Sequence, residues 1–322
     1  MARIALVLGA GGMVGHAYHA GVLTALAEVR GWDARHADVL VGTSAGSIVT
    51  ALLRAGMPPA DLMARGSDRP LSAEGAEIAR RAGLRRPRER PAASRPSSGV
   101  ASPARLARAM RQPWNVTAGS LAAAVLPAGT VSMGDMVVPF DNIFGDAWPS
   151  PSTWIVAVQL DTGRRVAFGR PGAPVATMGD AVRASCAIPA FFEPAEIDGH
   201  RYVDGGVHST TNADLVGNPP DGERPDLVLV SAPMSAARGA VGIGAGSALR
   251  RVATLSLARE VAGLRSKGIT VLTFQPTAAD LEVMAGDSLD PRKFRPVAAR
   301  VLETASRRLA RADVAARLAA LG

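Results

Sequence analysis

The first 55 residues repeat one unit twice: a short apolar run, a glycine-rich turn, and a stretch whose apolar residues recur at helical spacing. Arg3 to Leu8 runs into Gly9-Ala10-Gly11-Gly12-Met13-Val14-Gly15, and Met13 to Val29 carries a helical pattern. Ala37 to Val41 then leads to Gly42-Thr43-Ser44-Ala45-Gly46 and a helix over Ile48 to Ala55, stopped by Gly56 and Pro58. A chain that goes strand, tight turn, helix and then strand again is expected to lay its strands parallel and pack the helices on the sheet.

The same pattern returns further on. Trp154 to Leu160 reads as a buried strand that turns through Asp161-Thr162-Gly163 into Arg165 to Phe168. Val175 to Ala184 reads as a helix. Asp198-Gly199 is a two-residue hairpin signal between Glu196-Ile197 and His200 to Val203, and its second arm delivers Asp204-Gly205-Gly206. Asp226 to Ser231 and Ile269 to Phe274 read as strands, Leu249 to Leu264 and Phe294 to Ala320 as helices. With 322 residues and 48% hydrophobic content, the chain is expected to form a single domain over residues 1–322. One segment breaks the pattern, a basic Pro/Ser/Arg-rich insertion at about 85–113, expected to be mobile because it has too little apolar surface to offset its ordering entropy.

The net charge of +8 favours anionic partners, and only Lys267 and Lys293 among the 36 basic residues are lysine. With 4% aromatic residues and no recognisable nucleic-acid-binding motif, nucleic acid is not expected as a partner. The basic insertion reads either as a solvated linker with no specific role or as a flap that makes peripheral contact with an anionic membrane surface. Cys186 is the only cysteine, which excludes an intramolecular disulfide. The chain shows neither a charged leader with a long apolar run nor an apolar stretch of spanning length, so a cytoplasmic location, with at most peripheral membrane contact, is expected.

Three of the glycine-bearing stretches carry chemistry. Gly42-x-Ser44-x-Gly46 follows a strand and opens a helix, which presents a hydroxyl on a sharp turn beside a helix N-terminus. Gly9, Gly11, Gly12 and Gly15 form a loop that offers backbone N–H groups to a developing oxyanion. Dinucleotide binding competes for that loop, but Val14 stands where a glycine is needed and no ribose-binding carboxylate follows the second strand. Asp204, flanked by Gly205 and Gly206, is either a turn residue or the base for Ser44. The histidines are poorly placed for a Ser, Asp, His order: only His200 and His208 follow Ser44, while His16 and His19 read as helix-surface or packing residues and not as a metal pair.

Together with Gly21-Val22-Leu23, Ala184-Ser185-Cys186-Ala187-Ile188-Pro189, Phe191, Pro194 and Tyr202-Val203, these stretches make the chain resemble the patatin-like phospholipases, serine acyl hydrolases with a Ser/Asp dyad. The likeness extends over residues 4 to about 216. It implies a three-layer α/β/α fold with a central, mostly parallel sheet. It further implies Ser44 as nucleophile, Asp204 as base, the amides of Gly11 and Gly12 as oxyanion hole, a lipid ester substrate, and neither metal nor cofactor. Ala10 and Val14 depart from the pattern, which often has a third glycine and a basic residue at those places. The activity implied is hydrolysis of phospholipid or lysophospholipid carboxylic esters; acyl transfer, short-chain esterase activity, or a silent lipid-binding scaffold are the alternatives.

Overall fold

The computed structural model describes residues 2–67, 69–84, 129–240 and 245–318, so the basic insertion lies outside the described residues. Eight strands form one mixed sheet: β1 (Ile4–Leu8), β2 (Val39–Thr43), β3 (Thr153–Gln159), β4 (Arg165–Phe168), β5 (Ala195–Ile197), β6 (His200–Asp204), β7 (Leu227–Ser231) and β8 (Thr270–Phe274). Their order is β5-β6-β3-β2-β1-β7-β8, with β4 pairing β3. The pairs β3-β2, β2-β1, β1-β7 and β7-β8 are parallel; β4 and β6 run antiparallel to β3, and β5 antiparallel to β6.

The central strands are apolar on both sides, as strands covered on both faces must be. Along β1, Ile4, Leu6 and Leu8 enter one core, while Ala5 and Val7 enter a second core on the opposite face. The first core is covered by α1 (Gly12–Arg30), α2 (Ala45–Arg54), α3 (Pro59–Arg65), α4 (Ala73–Ala82), α5 (Gly134–Phe144), α6 (Met178–Cys186), α8 (Ala278–Met284), α9 (Phe294–Leu309) and α10 (Ala312–Arg317). The second is covered by α7 (Ala245–Arg265) and a short 3-10 segment, Ala213–Gly217. Three layers result, as expected. Among the described residues no helix is long and apolar enough to cross a membrane.

Several boundaries differ from the sequence expectation, each for a local reason. The second strand starts two residues later, because Asp33 caps a 3-10 turn at Ala34–His36 and Asp38 ties itself to the Ile4 amide at 2.6 Å. The helix expected from Val175 begins at Met178, where the Thr177 hydroxyl caps the Asp180 amide at 3.0 Å. The helix expected to run unbroken from Phe294 stops at Leu309 and restarts at Ala312, with Arg311 extended and paired to Asp313 in the new first turn. That break lets Val314 and Leu318 turn back into the core.

Strand order reverses at β1: the chain proceeds outward through β2 and β3, then returns to β7 and β8 on the other side. Ligands of open α/β sheets gather outside the carboxyl ends of the strands at such a reversal. Gly9 follows β1 there, and Ser44 follows β2.

Candidate active site

Ser44 occupies the single residue between β2 and α2, with φ 54° and ψ −121°. A non-glycine residue there is strained by roughly 1–3 kcal/mol, so the surroundings must hold it. The Ser44 N–H donates to Ser185 Oγ at 2.8 Å, and Ser185 Oγ donates to the Val156 carbonyl at 2.6 Å. On the other side, the Ser44 carbonyl accepts from the Ser47 amide at 2.8 Å and from Ser47 Oγ at 2.6 Å. The flanking glycines are there for space: a Cβ on Gly42 would lie 2.7 Å from Ser47 Cα, and one on Gly46 would run into the Leu8 carbonyl.

Register explains how a carboxylate 160 residues away reaches this turn. β4 occupies one edge of β3 along Ile155 to Val158, leaving the other edge to be shared. β2 takes its first half, ending with Thr43 opposite Val156; β6 comes from the opposite direction and ends with Asp204 opposite Ala157. The two strands therefore meet end to end, which brings the Ser44 hydroxyl close enough to the Asp204 carboxylate to lower its proton affinity. Asn212, fully buried, fastens the junction: its Nδ2 donates to Thr43 Oγ1 at 3.1 Å, the Ser209 carbonyl at 2.7 Å and the Gly205 carbonyl at 3.4 Å.

Asp204 is 5% exposed and Ser44 4%. Burial raises the Asp204 carboxyl from 3.8 to about 6, against the opposing pull of the Ser44 hydroxyl and of a hydrogen bond from the Gly206 amide, which reaches Asp204 Oδ1 at 2.7 Å. Gly205 packs its α-carbon against the Val156 carbonyl in the same turn. Among the described residues, no histidine hydrogen-bonds Ser44 or Asp204. A carboxylate poised near pH 6 is a far better base than one at the ordinary value of about 3.9.

The glycine-rich loop stands beside this pair, anchored at four amides. Gly9 donates to the Ser231 carbonyl (3.0 Å), Ala10 to Thr210 (2.7 Å), Val14 to Ser288 (3.0 Å) and Gly15 to Gly11 (2.8 Å). Gly11 caps α1 and Gly12 opens it with φ +61°, so their N–H groups belong to the first turn, which has no intrahelical acceptors to offer them. Among the described residues neither amide has a backbone acceptor. From inside α1, His19 steadies the loop: its Nε2 donates to the Gly9 carbonyl at 2.8 Å, so its Nδ1 accepts from Ser231 Oγ, also at 2.8 Å. Burial pushes this imidazole down to about 4, so it remains neutral at physiological pH.

Residues 6–216 match the family model of patatin-like phospholipase. The chain belongs to that family. The crystal structure of VipD from Legionella pneumophila is similar with a TM-score of 0.40 and 11% identity, covering 94% of this chain and 67% of that one. None of the curated proteins matches the chain. The family's motifs thus sit on the strand ends where β1, β2 and β6 converge. Ala10 and Val14 contribute loop-ordering hydrogen bonds through their backbone, and Val14 is buried.

In this patatin-like chain a cavity of about 200 Å³ opens on Ser44, Ala45 and Gly12, walled by apolar side chains including Ile48, Met136, Phe192 and Leu289. Its few polar walls are held uncharged. Burial and the Arg65 guanidinium push His16 down to about 3, and burial together with the Asp204 charge pushes the Cys186 thiol up to about 12. Sequence reasoning placed His19 among packing or surface residues, and gave Ser185 and Asn212 no individual role. Ser185 stood within a quoted motif, but its contact is with a residue 141 positions away, and nothing in the Asn212 neighbourhood distinguishes it from an ordinary loop.

Proposed function

We propose that the protein hydrolyses carboxylic esters of phospholipids or lysophospholipids through an acyl-enzyme on Ser44, with Asp204 as base. The observation that carries this reading is the contact between the Ser44 hydroxyl and a buried carboxylate at the mouth of an apolar cavity beside the Gly11-Gly12 amides. Ser44 Oγ attacks the ester carbonyl carbon as its proton passes to Asp204. The amides of Gly11 and Gly12 stabilise the oxyanion, a contribution of about 2.7–4 kcal/mol for each such donor. When the ester C–O bond breaks, Asp204 returns the proton to the departing alkoxide; it then takes a proton from the water that attacks the acyl-enzyme, and gives it back to Ser44.

The cavity supports acyl chains as the recognised part of the substrate. At about 200 Å³ it falls below the roughly 300–1,000 Å³ that enclose a whole drug-sized ligand, so it holds part of one chain and leaves the polar headgroup outside. Steady-state hydrolysis of p-nitrophenyl esters from acetate to palmitate, with lysophospholipid as a natural-type substrate, tests this. Specificity (kcat/KM) is expected to rise with chain length and to vanish in Ser44→Ala. A flat profile, or activity retained in that variant, overturns the reading.

A further inference from the structure

Five large apolar side chains stand strongly exposed among the described residues, and three of them share one helix. Leu249, Val252 and Leu255 of α7 are 58%, 64% and 59% exposed at i, i+3 and i+6, a stripe along a single helical face. The face of α7 that packs on the sheet already has its own apolar set in Ala253, Leu257, Val261 and Leu264. The outer stripe therefore has no part in closing the core, and an exposed apolar strip of this kind marks an interaction site.

Arginine predominates around the stripe, and among the described residues the one acid near it is Glu282, exposed in the groove that Leu249 also lines. Arg251 and Arg259 lie on the exposed side of the helix, and Arg238, Arg251 and Arg265 line an adjoining hollow of about 620 Å³ whose walls, among the described residues, include Leu255 but no carboxylate. The single acid of α7, Glu260, turns inward, where it accepts from Ser209 Oγ at 2.5 Å, Thr211 Oγ1 at 2.6 Å and the Ala213 amide at 2.9 Å. Position links the stripe to the candidate site. A groove of about 660 Å³ is bounded by Leu249 and Arg250 at one side and by Gly11 and Val14 at the other.

We infer that the exposed face of α7 is a membrane-docking surface for bilayers bearing anionic headgroups, with the stripe entering the interfacial region and the arginines taking the phosphates. A helix that is apolar along one outward line and carries arginine but no acid beside it has the composition of interfacial helices. Docking there sets the groove that leads to Gly11 against the lipid surface, so substrate has a short path from the bilayer. This rests on the lipid-ester reading of the site.

Vesicle co-sedimentation of the full chain in a Ser44→Ala background reads binding without hydrolysis. Phosphatidylcholine vesicles with 30% phosphatidylglycerol are compared with pure phosphatidylcholine, using Val252→Ser/Leu255→Ser and Arg238→Glu/Arg259→Glu. The first pair is expected to lose at least tenfold in affinity on the anionic vesicles. The second is expected to lose at least about twenty-fold, since each arginine near an anionic surface is worth roughly fivefold. In the otherwise unaltered enzyme, both pairs are expected to keep hydrolysis of soluble p-nitrophenyl butyrate. Binding by either pair equal to that of the parent overturns the inference. So does light scattering that finds the parent dimeric and the serine pair monomeric, which would assign the stripe to a second copy. Vesicle binding by a parent that hydrolyses no ester would leave the docking surface standing and refute the enzymatic reading.

Discussion

Helices α1 and α7 are of similar length and each follows a central strand of the sheet, yet they have opposite fates. Twelve of the 19 residues of α1 are buried, because α2, α3 and α9 close around it on the sheet. Helix α7 covers the other face almost alone and leaves Leu249, Val252 and Leu255 in solvent. Burial of most of its surface holds α1 in place, and with it the glycine-rich loop that opens it. Exposure on one side makes α7 available to something outside the chain.

Substitutions can break this contrast at several strengths. Removing the chemistry at the mouth of α1 has the largest expected effect: Ser44→Ala or Asp204→Asn lowers kcat by about 10³–10⁴-fold, measured on a medium-chain ester, while circular dichroism shows the native fold. Hollowing the helix comes next. Leu23→Ala, at a fully buried position of α1, is expected to lose about 2–5 kcal/mol of stability in urea unfolding.

His19→Phe tests whether α1 holds the loop. It strands the Gly9 carbonyl and the Ser231 hydroxyl, and kcat is expected to fall about ten- to a hundredfold with KM changed less than threefold; His19→Gln, which keeps an amide donor for the carbonyl, recovers part of the loss. Unchanged kcat in the phenylalanine variant would show that the loop needs no support from α1.

The raised Asp204 also has a stability effect. An acid whose folded value lies above its unfolded one binds its proton more tightly when folded, so it loses stability as pH rises from about 4 to 6 and carries a fixed penalty above that. Asp204→Asn removes the ionisation. Urea titrations are expected to find the variant more stable than the parent at pH 8, by about 3 kcal/mol at most, with the gap closing near pH 4. At the bottom of the scale, Leu255→Ala on the open face of α7 changes stability by no more than about 0.5 kcal/mol, against the several expected for Leu23→Ala.

The sequence made the scaffold and the two turns that carry Ser44 and Asp204 legible, because both follow from short-range signals. Alternation of apolar runs with glycine turns gave the parallel sheet, and Asp198-Gly199 gave the β5-β6 hairpin, where both residues adopt the positive φ such a turn requires. Gly42-x-Ser44-x-Gly46 and Asp204-Gly205-Gly206 were visible because close backbone approach restricts those places to glycine. What stayed hidden was long-range. The end-to-end meeting of β2 and β6 depends on how two strands divide one edge of β3, and Ser185, Asn212 and His19 earn their roles only through partners that folding brings to them. The helices α3, α4 and α5 also went unread; α5 has Pro139 within it, which interrupts a helical pattern in the string.

The central claim, that a buried carboxylate activates the elbow serine without a histidine, is tested most directly by the rate of fluorophosphonate labelling as a function of pH. Peptide mass mapping is expected to place the adduct on Ser44 alone, with a rate that rises through about pH 6, levels off above it, and falls by orders of magnitude in Asp204→Asn. An adduct on another serine, or labelling of the Asp204→Asn variant at the parent's rate, would contradict the account.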